Sequence, residues 1–316
     1  GTEREFKKTY GIAAARSAAA KKGGGLSEQG ALATGALHKQ VMPFVMRRTK
    51  DEVLKDLPPK IIQDVYVELT DAQRKMYDAF ESSEAKDQAV SAIEGGGGAE
   101  GAAQHVFTTL QYLRKLCSHP KLVVSDGASK KFNPEMRSPK FDALKQILID
   151  CGIGVDLEEE KSNGDEGKPN PASGAGHRVL VFSQLKSLLD LVENELFTTQ
   201  MRDVSWLRLD GSIPPSQRFD VVRKFNADPS IDVLLLTTHV GGLGLNLTSA
   251  DTVVFLEHDW NPQKDLQAMD RAHRLGQRKT VNVYRILTRG TLEEKIMSLQ
   301  RFKLDVANAV VNADNA

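Results

Sequence analysis

The sequence predicts an α/β fold: a parallel sheet covered by helices on both faces, with a helical protrusion on its N-terminal side and a bracing helix at its C-terminal end. Two observations carry the prediction. Val233–Leu236 and Val253–Leu256 are short, unbroken apolar runs, the pattern of strands buried on both faces. From Val179 onward such runs alternate with helical patterns, and strands alternating with helices at this spacing build a parallel sheet whose ligand edge lies at the carboxyl ends of its strands.

Composition agrees with an ordinary globular protein: 316 residues, 40% hydrophobic and 27% charged. Lys+Arg and Asp+Glu both number 42, so net charge gives no hint of a nucleic-acid partner and any such surface must be a local patch. Cys117 and Cys151 lie far apart without metal-binding spacing, which fits a reducing compartment and no zinc site. No run approaches the roughly 18 apolar residues of a membrane span, and no signal peptide is evident. Gly1 suggests a sequence cut from a longer chain.

Residues 1–36 are rich in Ala, Gly, Ser and Lys and are expected to be a poorly ordered lead-in. Leu37, Val41, Phe44 and Val45 then recur at helical spacing, ending in the basic cluster Met46-Arg47-Arg48-Thr49-Lys50, which on its own reads as a solvated helix end. Ile61 to Leu69 alternates loosely and is expected to be extended, with Thr70 capping a helix through Gln73, Tyr77 and Phe80. After the break at Gly95–Gly98, Val106, Leu110, Leu113 and Leu116 share one face of a second helix, which Pro120 stops. Cys117 and His119 lack a further ligand or base nearby, so a buried thiol is the plainer reading.

Ser138-Pro139 opens a helix through Phe141, Leu144 and Leu148. Gly152 to Gly176 is acidic, aperiodic and rich in Gly, Pro, Ser and Asn, and is expected to be a disordered insertion. Val179–Phe182 is the first buried strand, followed by Ser183-Gln184 and a helix bearing Leu185, Leu188, Leu189 and Val192. Val204–Leu209 is the second, turning at Asp210-Gly211-Ser212 before a helix opened by Pro214-Pro215. Strands at 233–236, 253–256 and 281–286 and a helix from 262 continue the rhythm. Gly290-Thr291 caps a last helix with Glu293 and Glu294 in its first turn, where carboxylates favour the helix dipole. Leu292, Ile296, Leu299, Phe302, Val306 and Val310 form one apolar stripe along it, most simply for packing.

The chemistry concentrates between Val233 and Gln277. Gly241, Gly242 and Gly244 let the backbone turn tightly and approach a bulky guest, a phosphate or ribose, although such a glycine pattern alone is more often a plain strand-to-helix connection. After the next strand, Asn261 is placed to cap a helix with Pro262 in its first turn. That helix is expected to carry Arg271 and Arg274 on one face, able to reach a single target; pairing of Arg274 with Asp270 is the alternative. Ser183, Gln184, Asp210, Gly211, Ser212, Thr237 and Thr238 fall at strand ends, where hydroxyls and amides suit a phosphodiester backbone; turn chemistry alone also explains Asp210-Gly211-Ser212.

Taken in order, the strand, the glycine turn with Asn246, Asp259-Trp-Asn-Pro262 and Gln267-Ala-Met-Asp-Arg271-Ala-His-Arg274-Leu-Gly-Gln277 resemble the second RecA-like lobe of superfamily-two helicases and translocases. The form of the last motif is that of the SNF-type chromatin-remodelling ATPases. Pro43-Phe-Val-Met-Arg-Arg-Thr-Lys-Asp-Glu-Val and Leu57-Pro-Pro-Lys60 are similar to that family's inter-lobe segment, and Leu113-Arg-Lys-Leu-Cys-Ser-His-Pro120 to its helical protrusion. The resemblance implies Arg271 and Arg274 as catalytic arginine fingers. It puts Gly242, Gly244, Asn246 and Gln267 against the nucleotide and Gln184, Gly211, Ser212, Thr238 and Trp260 against DNA, with a buried core as the rival place for Trp260. It further implies an inter-lobe segment and protrusion over 37–137, a RecA-like lobe over 138–290 interrupted at 152–176, and a bracing helix over 291–316.

No GxxxxGK[ST] loop and no Asp-Glu-x-His box is present in the sequence, so ATP and Mg2+ are expected on a first lobe elsewhere in the same chain, and this stretch alone is expected to hydrolyse little ATP. Leu37-His-Lys-Gln-Val-Met-Pro-Phe-Val-Met-Arg-Arg48, Asp56-Leu-Pro-Pro-Lys-Ile-Ile-Gln-Asp64 and Lys224-Phe-Asn-Ala-Asp-Pro-Ser-Ile-Asp232 resemble the family members that strip TATA-binding protein from promoter DNA, a likeness that covers nearly everything from Leu37 to Asn312 except the two Gly-rich insertions. That likeness implies double-stranded DNA and TATA-binding protein as partners, the latter gripped by an upstream region, and a nuclear transcription regulator. Another nucleosome-remodelling ATPase, an RNA helicase lobe and a non-catalytic DNA-binding scaffold stay open. A Rossmann dinucleotide enzyme fits least, because the glycine turn lacks GxGxxG spacing.

Overall fold

A computed structural model describes residues 56–82, 99–124, 136–154, 176–241 and 244–313, without side-chain detail for 99–106, 241 and 306–313. The lead-in, the basic cluster at Arg47 and Arg48, the Gly95–Gly98 break, most of the 152–176 insertion and Gly242 lie outside the described residues.

Six strands form one sheet: β1 (Lys60–Val67), β2 (Val179–Ser183), β3 (Trp206–Leu209), β4 (Val233–Thr237), β5 (Thr252–Phe255) and β6 (Val281–Thr288). Their order is β1-β6-β5-β2-β4-β3 and every pairing is parallel. The apolar runs at the sheet centre are buried on both sides because alternate residues serve two cores. Val179 and Val181 join the layer with Leu144, Leu148, Leu188 and Leu189, whereas Leu180 and Phe182 join the layer with Val222, Phe225 and Met269. The helices responsible are α3 (Pro139–Asp150) and α4 (Lys186–Leu191) on one face, and α5 (Pro215–Ala227) and α6 (Pro262–Met269) on the other.

Strand limits differ slightly from expectation, for local reasons. β3 starts at Trp206, not Val204, because Val204 N–H turns back to Met201 O and Ser205 N–H donates to the Asp232 carboxylate. The extended segment at Lys60–Val67 joins the sheet as an edge strand, in register with Val281–Thr288.

A third cluster sits outside the sheet. Helix α1 (Asp71–Glu81), helix α2 (Ala99–Ser118) and the start of α7 (Leu292–Ala313) bury Tyr77, Leu113, Leu116, Cys117, Leu292 and Ile296 together. The capping box of Thr70 with Gln73 is present, and Gln73 also donates to Leu116 O at 2.8 Å, which locks α1 to α2. Leu292 N–H donates to the Tyr77 hydroxyl at 3.0 Å. Of the apolar stripe expected along α7, Leu292 and Ile296 are buried, while Leu299 is 37% and Phe302 63% exposed; the side chains of Val306 and Val310 lie outside the described residues. Further along, α7 meets α6 through polar contacts instead: buried Gln300 donates to the Asp265 carboxylate at 2.8 Å and Lys303 Nζ to Trp260 O at 2.9 Å.

Candidate functional site

The chain leaves β2 towards β3 and β4 on one side and returns to β5 and β6 on the other, so the sheet has a switch point at β2. In open α/β sheets the crevice outside the strand ends at such a point is where ligands bind. Three strand ends here carry polar residues side by side. Ser183 pairs in register with Thr237, and Thr238 Oγ1 donates to Ser183 O at 3.3 Å. On the far side of β4, Asp210 Oδ1 accepts from Ser212 N–H at 2.7 Å and Ser212 Oγ at 2.5 Å. Turn chemistry therefore does shape Asp210-Gly211-Ser212, and it leaves Gly211 and Ser212 exposed at the tip.

Asp210 is itself anchored. Arg208 donates to Asp210, Asp190 and Glu193. Burial pushes the Asp210 carboxyl up, but the Ser212 hydrogen bonds and the Arg208 charge outweigh it and hold the pKa at about 2. A folded pKa below the unfolded 3.8 means that this carboxylate adds stability in full above pH 4 and loses it as pH falls towards 2. The stability gap between the chain and Asp210→Asn, measured by urea unfolding, is accordingly expected to be large at pH 5 and to close near pH 2.

Behind the row, Glu257 at the end of β5 is buried and accepts from Ser183 Oγ at 2.6 Å, Gln184 N–H at 2.9 Å and Leu185 N–H at 3.0 Å. Its other oxygen accepts from Ser118 Oγ at 3.4 Å and lies 3.9 Å from the guanidinium of Arg114 on α2. One buried carboxylate thus ties β2, β5 and α2. Nothing in the sequence around Glu257 marked it; Arg114 could have been noticed, since it occupies an apolar-face position three residues before Cys117 and four after Leu110.

The second part of the site is built on α6. Asn261 caps it, accepting from Gln263 N–H at 3.0 Å, with Pro262 in the first turn as expected. The helix ends at Met269, so Arg271 and Arg274 lie in the turn beyond it and share no helix face. Carbonyls that would continue the ladder are taken by other segments: Arg271 O accepts from Leu247 N–H at 3.0 Å, and Ala272 O from Gln277 Nε2 at 3.2 Å. Gln277 Nε2 also donates to Ala250 O at 2.8 Å, and Gly276 has a positive φ of 102° that suits the reversal. Asp270 pairs with Lys60 at 3.3 Å.

The effect is to stitch the arginine turn to the glycine turn. Arg274 Nη1 lies 3.4 Å from Gly244 O, and Gly244 holds φ +76°, where a side chain would be strained. Asn246 O accepts from Asn226 Nδ2 at 2.8 Å. Gly244 and Asn246 line an open groove of about 480 Å3 with Phe219, Val222 and Arg223 of α5. Partial burial, and then the nearby charge of Arg274, lower the proton affinity of Arg271, with Asp270 opposing. Two guanidinium groups that feel each other's charge attract a polyanion.

Gln267 is exposed on the last turn of α6. Trp260 is half-buried and packs against the cluster of Tyr77, Leu116 and Ile296, with its carbonyl accepting from Lys303 Nζ at 2.9 Å. Cys117 is buried, and burial above all pushes its thiol up to about 12, which suits no nucleophile. Among the described residues no group of three His, Cys, Asp or Glu side chains could hold a metal ion, and no helix is long and apolar enough to cross a membrane.

Comparison with known proteins agrees with this architecture. Residues 171–276 match the helicase conserved C-terminal domain, and residues 1–122 match the SNF2-related domain. The chain is 51% identical over 343 aligned residues to TATA-binding protein-associated factor BTAF1 of Arabidopsis thaliana, an alignment covering 100% of the chain and 16% of that protein. It is 51% identical over 337 residues to TATA-binding protein-associated factor 172 of Homo sapiens, covering 100% of the chain and 18% of that protein. Among solved structures, the Sulfolobus solfataricus SWI2/SNF2 ATPase core in complex with dsDNA superposes with a TM-score of 0.56 at 28% identity, covering 97% of the chain and 55% of that structure. The chain spans less than a fifth of the length of the two curated relatives.

Proposed function

Because the chain belongs to the SNF2-related ATPases and carries their helicase C-terminal lobe, we propose that it is the second lobe of an ATP-driven translocase on double-stranded DNA, one that dissociates TATA-binding protein from promoters in the nucleus. The observation that carries the reading is a pairing of two surfaces on one rigid sheet. A row of neutral hydrogen-bonding groups from Gln184, Gly211, Ser212 and Thr238 crowns β2, β3 and β4, and a two-arginine turn is stitched to the glycine turn that leaves β4. The row suits a DNA backbone, because such groups position a strand without reading its bases. In the same reading Trp260, half-buried on the helical cluster, presses on the DNA path.

In this reading a first lobe of the parent chain holds ATP and Mg2+. Gly242, Gly244, Asn246 and Gln267 approach the nucleotide from this side, while Arg271 and Arg274 stabilise charge developing on the γ-phosphate. The segment from Thr238 to Leu247 joins the DNA row to the arginine turn, so lobe closure on ATP is felt at Thr238 and Ser183. The names of the curated relatives support TATA-binding protein as the cargo.

The test is DNA-stimulated ATP hydrolysis by the intact parent protein with Ser212→Asp, which puts a negative charge where a phosphate is proposed to lie. The DNA concentration for half-maximal stimulation is expected to rise about tenfold, and release of TATA-binding protein to slow in parallel. An unchanged DNA dependence contradicts the assignment of this row.

A further inference from the structure

Phe219 breaks the pattern of its helix. On α5 the apolar residues Phe219, Val222 and Phe225 recur at intervals of three, the spacing of one helix face. Phe225 and Val222 are buried against the sheet, yet Phe219 is 64% exposed. It borders the open groove of about 480 Å3, together with Val222, Arg223 and Asn226 of the same helix and with Gly244 and Asn246. The lining is mostly apolar. Asn226 joins the two sides: its Nδ2 donates to Asn246 O at 2.8 Å and its Oδ1 accepts from Ser249 Oγ at 2.7 Å, so both ends of that amide are engaged within the protein.

Gly244 belongs to this groove and to the arginine turn at once. Its carbonyl lies 3.4 Å from Arg274 Nη1. A Cβ at this position would meet no atom within 4 Å, so the space over its backbone is open. The surface is therefore cationic on one side of Gly244, at the arginine turn, and apolar with an exposed aromatic ring on the other. A ligand matched to it is anionic at one end and flat and apolar at the other, which is the build of a nucleoside triphosphate. Arg223, one turn after Phe219 on α5, adds a second planar group: its guanidinium is engaged by an exposed contact with Asp220 at 3.7 Å, weak enough to yield to a ring on which it can stack.

We propose that this groove receives the base of the nucleotide, with the ring of Phe219 stacking on one face of the adenine while Arg271 and Arg274 meet the phosphates at the other end of the same molecule. The proposal rests on the reading of the arginine turn as the part of this lobe that reaches ATP, and it deepens that reading by naming the residue that holds the base. Because the amide of Asn226 is already engaged, the groove offers the base a face more than a pattern of donors and acceptors. Stacking on an aromatic side chain is tolerant of base identity, so the contact adds affinity and little choice among bases. With ATP seated on the first lobe, the contact forms as the two lobes close, and the base then helps to hold them together.

The experiment uses the intact parent protein at saturating DNA and varies ATP, with inorganic triphosphate, which has no base, titrated as a competitor. Phe219 is exposed, so Phe219→Ala leaves the core alone. It is expected to raise the KM for ATP about tenfold with kcat within about twofold of normal, the pattern of a binding contact made equally before and during the reaction. The inhibition constant of inorganic triphosphate is expected to stay the same. Phe219→Tyr keeps the stacking face and is expected to keep the KM. An unchanged KM in Phe219→Ala, an equal loss for ATP and inorganic triphosphate, or a Phe219→Tyr variant as impaired as Phe219→Ala overturns the proposal. If Arg271→Ala abolishes hydrolysis while Phe219→Ala leaves the KM alone, the base contact fails and the arginine reading stands. If Arg271→Ala hydrolyses ATP normally, the arginine reading itself fails, whatever Phe219→Ala shows.

Discussion

Arg271→Ala in the intact parent protein is expected to lower DNA-stimulated ATP hydrolysis by about a thousand- to a hundred-thousand-fold, equivalent to roughly 4–7 kcal/mol of barrier, while ATP still binds. The expectation follows from where the two arginines sit. Their turn has no helix to hold it, yet its backbone is clamped by Leu247 N–H and by Gln277, so the guanidinium groups emerge from a rigid base. Arg274→Ala is expected to act in the same direction and also to loosen the glycine turn through the lost approach to Gly244 O. Substituting both is expected to cost little more than Arg271→Ala alone, because residues that act on one phosphate as a unit are not additive. Nucleotide binding measured beside hydrolysis separates this from simple loss of the ligand, and near-normal hydrolysis in both variants makes the turn structural.

Lys140→Met is expected to destabilise the folded chain by about 3–5 kcal/mol. Lys140 is fully buried, donating to Glu293 at 2.5 Å and to Leu256 O at 2.7 Å, and the other oxygen of Glu293 accepts from Thr288 N–H at 2.8 Å. These bonds join α3, β5, β6 and α7. Removing the ammonium leaves a carboxylate alone in the interior, which costs far more than the pair contributes when intact. Thermal unfolding followed by tryptophan fluorescence is expected to show a midpoint lower by roughly 6–20 °C. Adding Glu293→Gln to Lys140→Met keeps an acceptor for Thr288 N–H without the stranded charge, and is expected to recover at least half of the loss; no recovery contradicts the electrostatic explanation.

Signals that act within a few residues were legible in the sequence. The Thr70–Gln73 capping box, the Asn261–Pro262 helix start, the stop at Pro120 and the doubly buried strands each depend on neighbours or on simple alternation, and each is present. Features set by distant partners were not. The turn beyond α6 is held by Leu247 and Gln277, which bond to the carbonyls of Arg271 and Ala272, and nothing local to Arg271 announces that. Leu299 and Phe302 continue the apolar spacing of Leu292 and Ile296, yet they are exposed, because which turns of α7 are covered is decided by distant segments.

Buried charge was hardest to read. Lys140 and Glu293 are 153 residues apart, and Arg114 and Gln184 are 70 apart, so pairing could not be inferred from spacing. A charge on an apolar helix face was nevertheless a visible clue: Lys140 precedes Leu144, Ile147 and Leu148 at the intervals of a buried stripe. Of the candidate site, the strand-end row could be placed once the sheet was recognised, because parallel strands gather their carboxyl ends by construction. The carboxylate behind the row, Glu257, emerges only when β2, β5 and α2 are brought together.

The lobe is proposed to serve a motor that moves along duplex DNA without opening it. The most direct measurement gives the intact parent protein a duplex bearing a triplex-forming third strand, and follows displacement of that strand and separation of the duplex in parallel, with and without ATP, for the natural sequence and for Arg271→Ala. The expected result is ATP-dependent displacement of the third strand with the duplex intact, abolished by Arg271→Ala. Separation of the duplex strands, or displacement that proceeds equally without ATP or in Arg271→Ala, contradicts it.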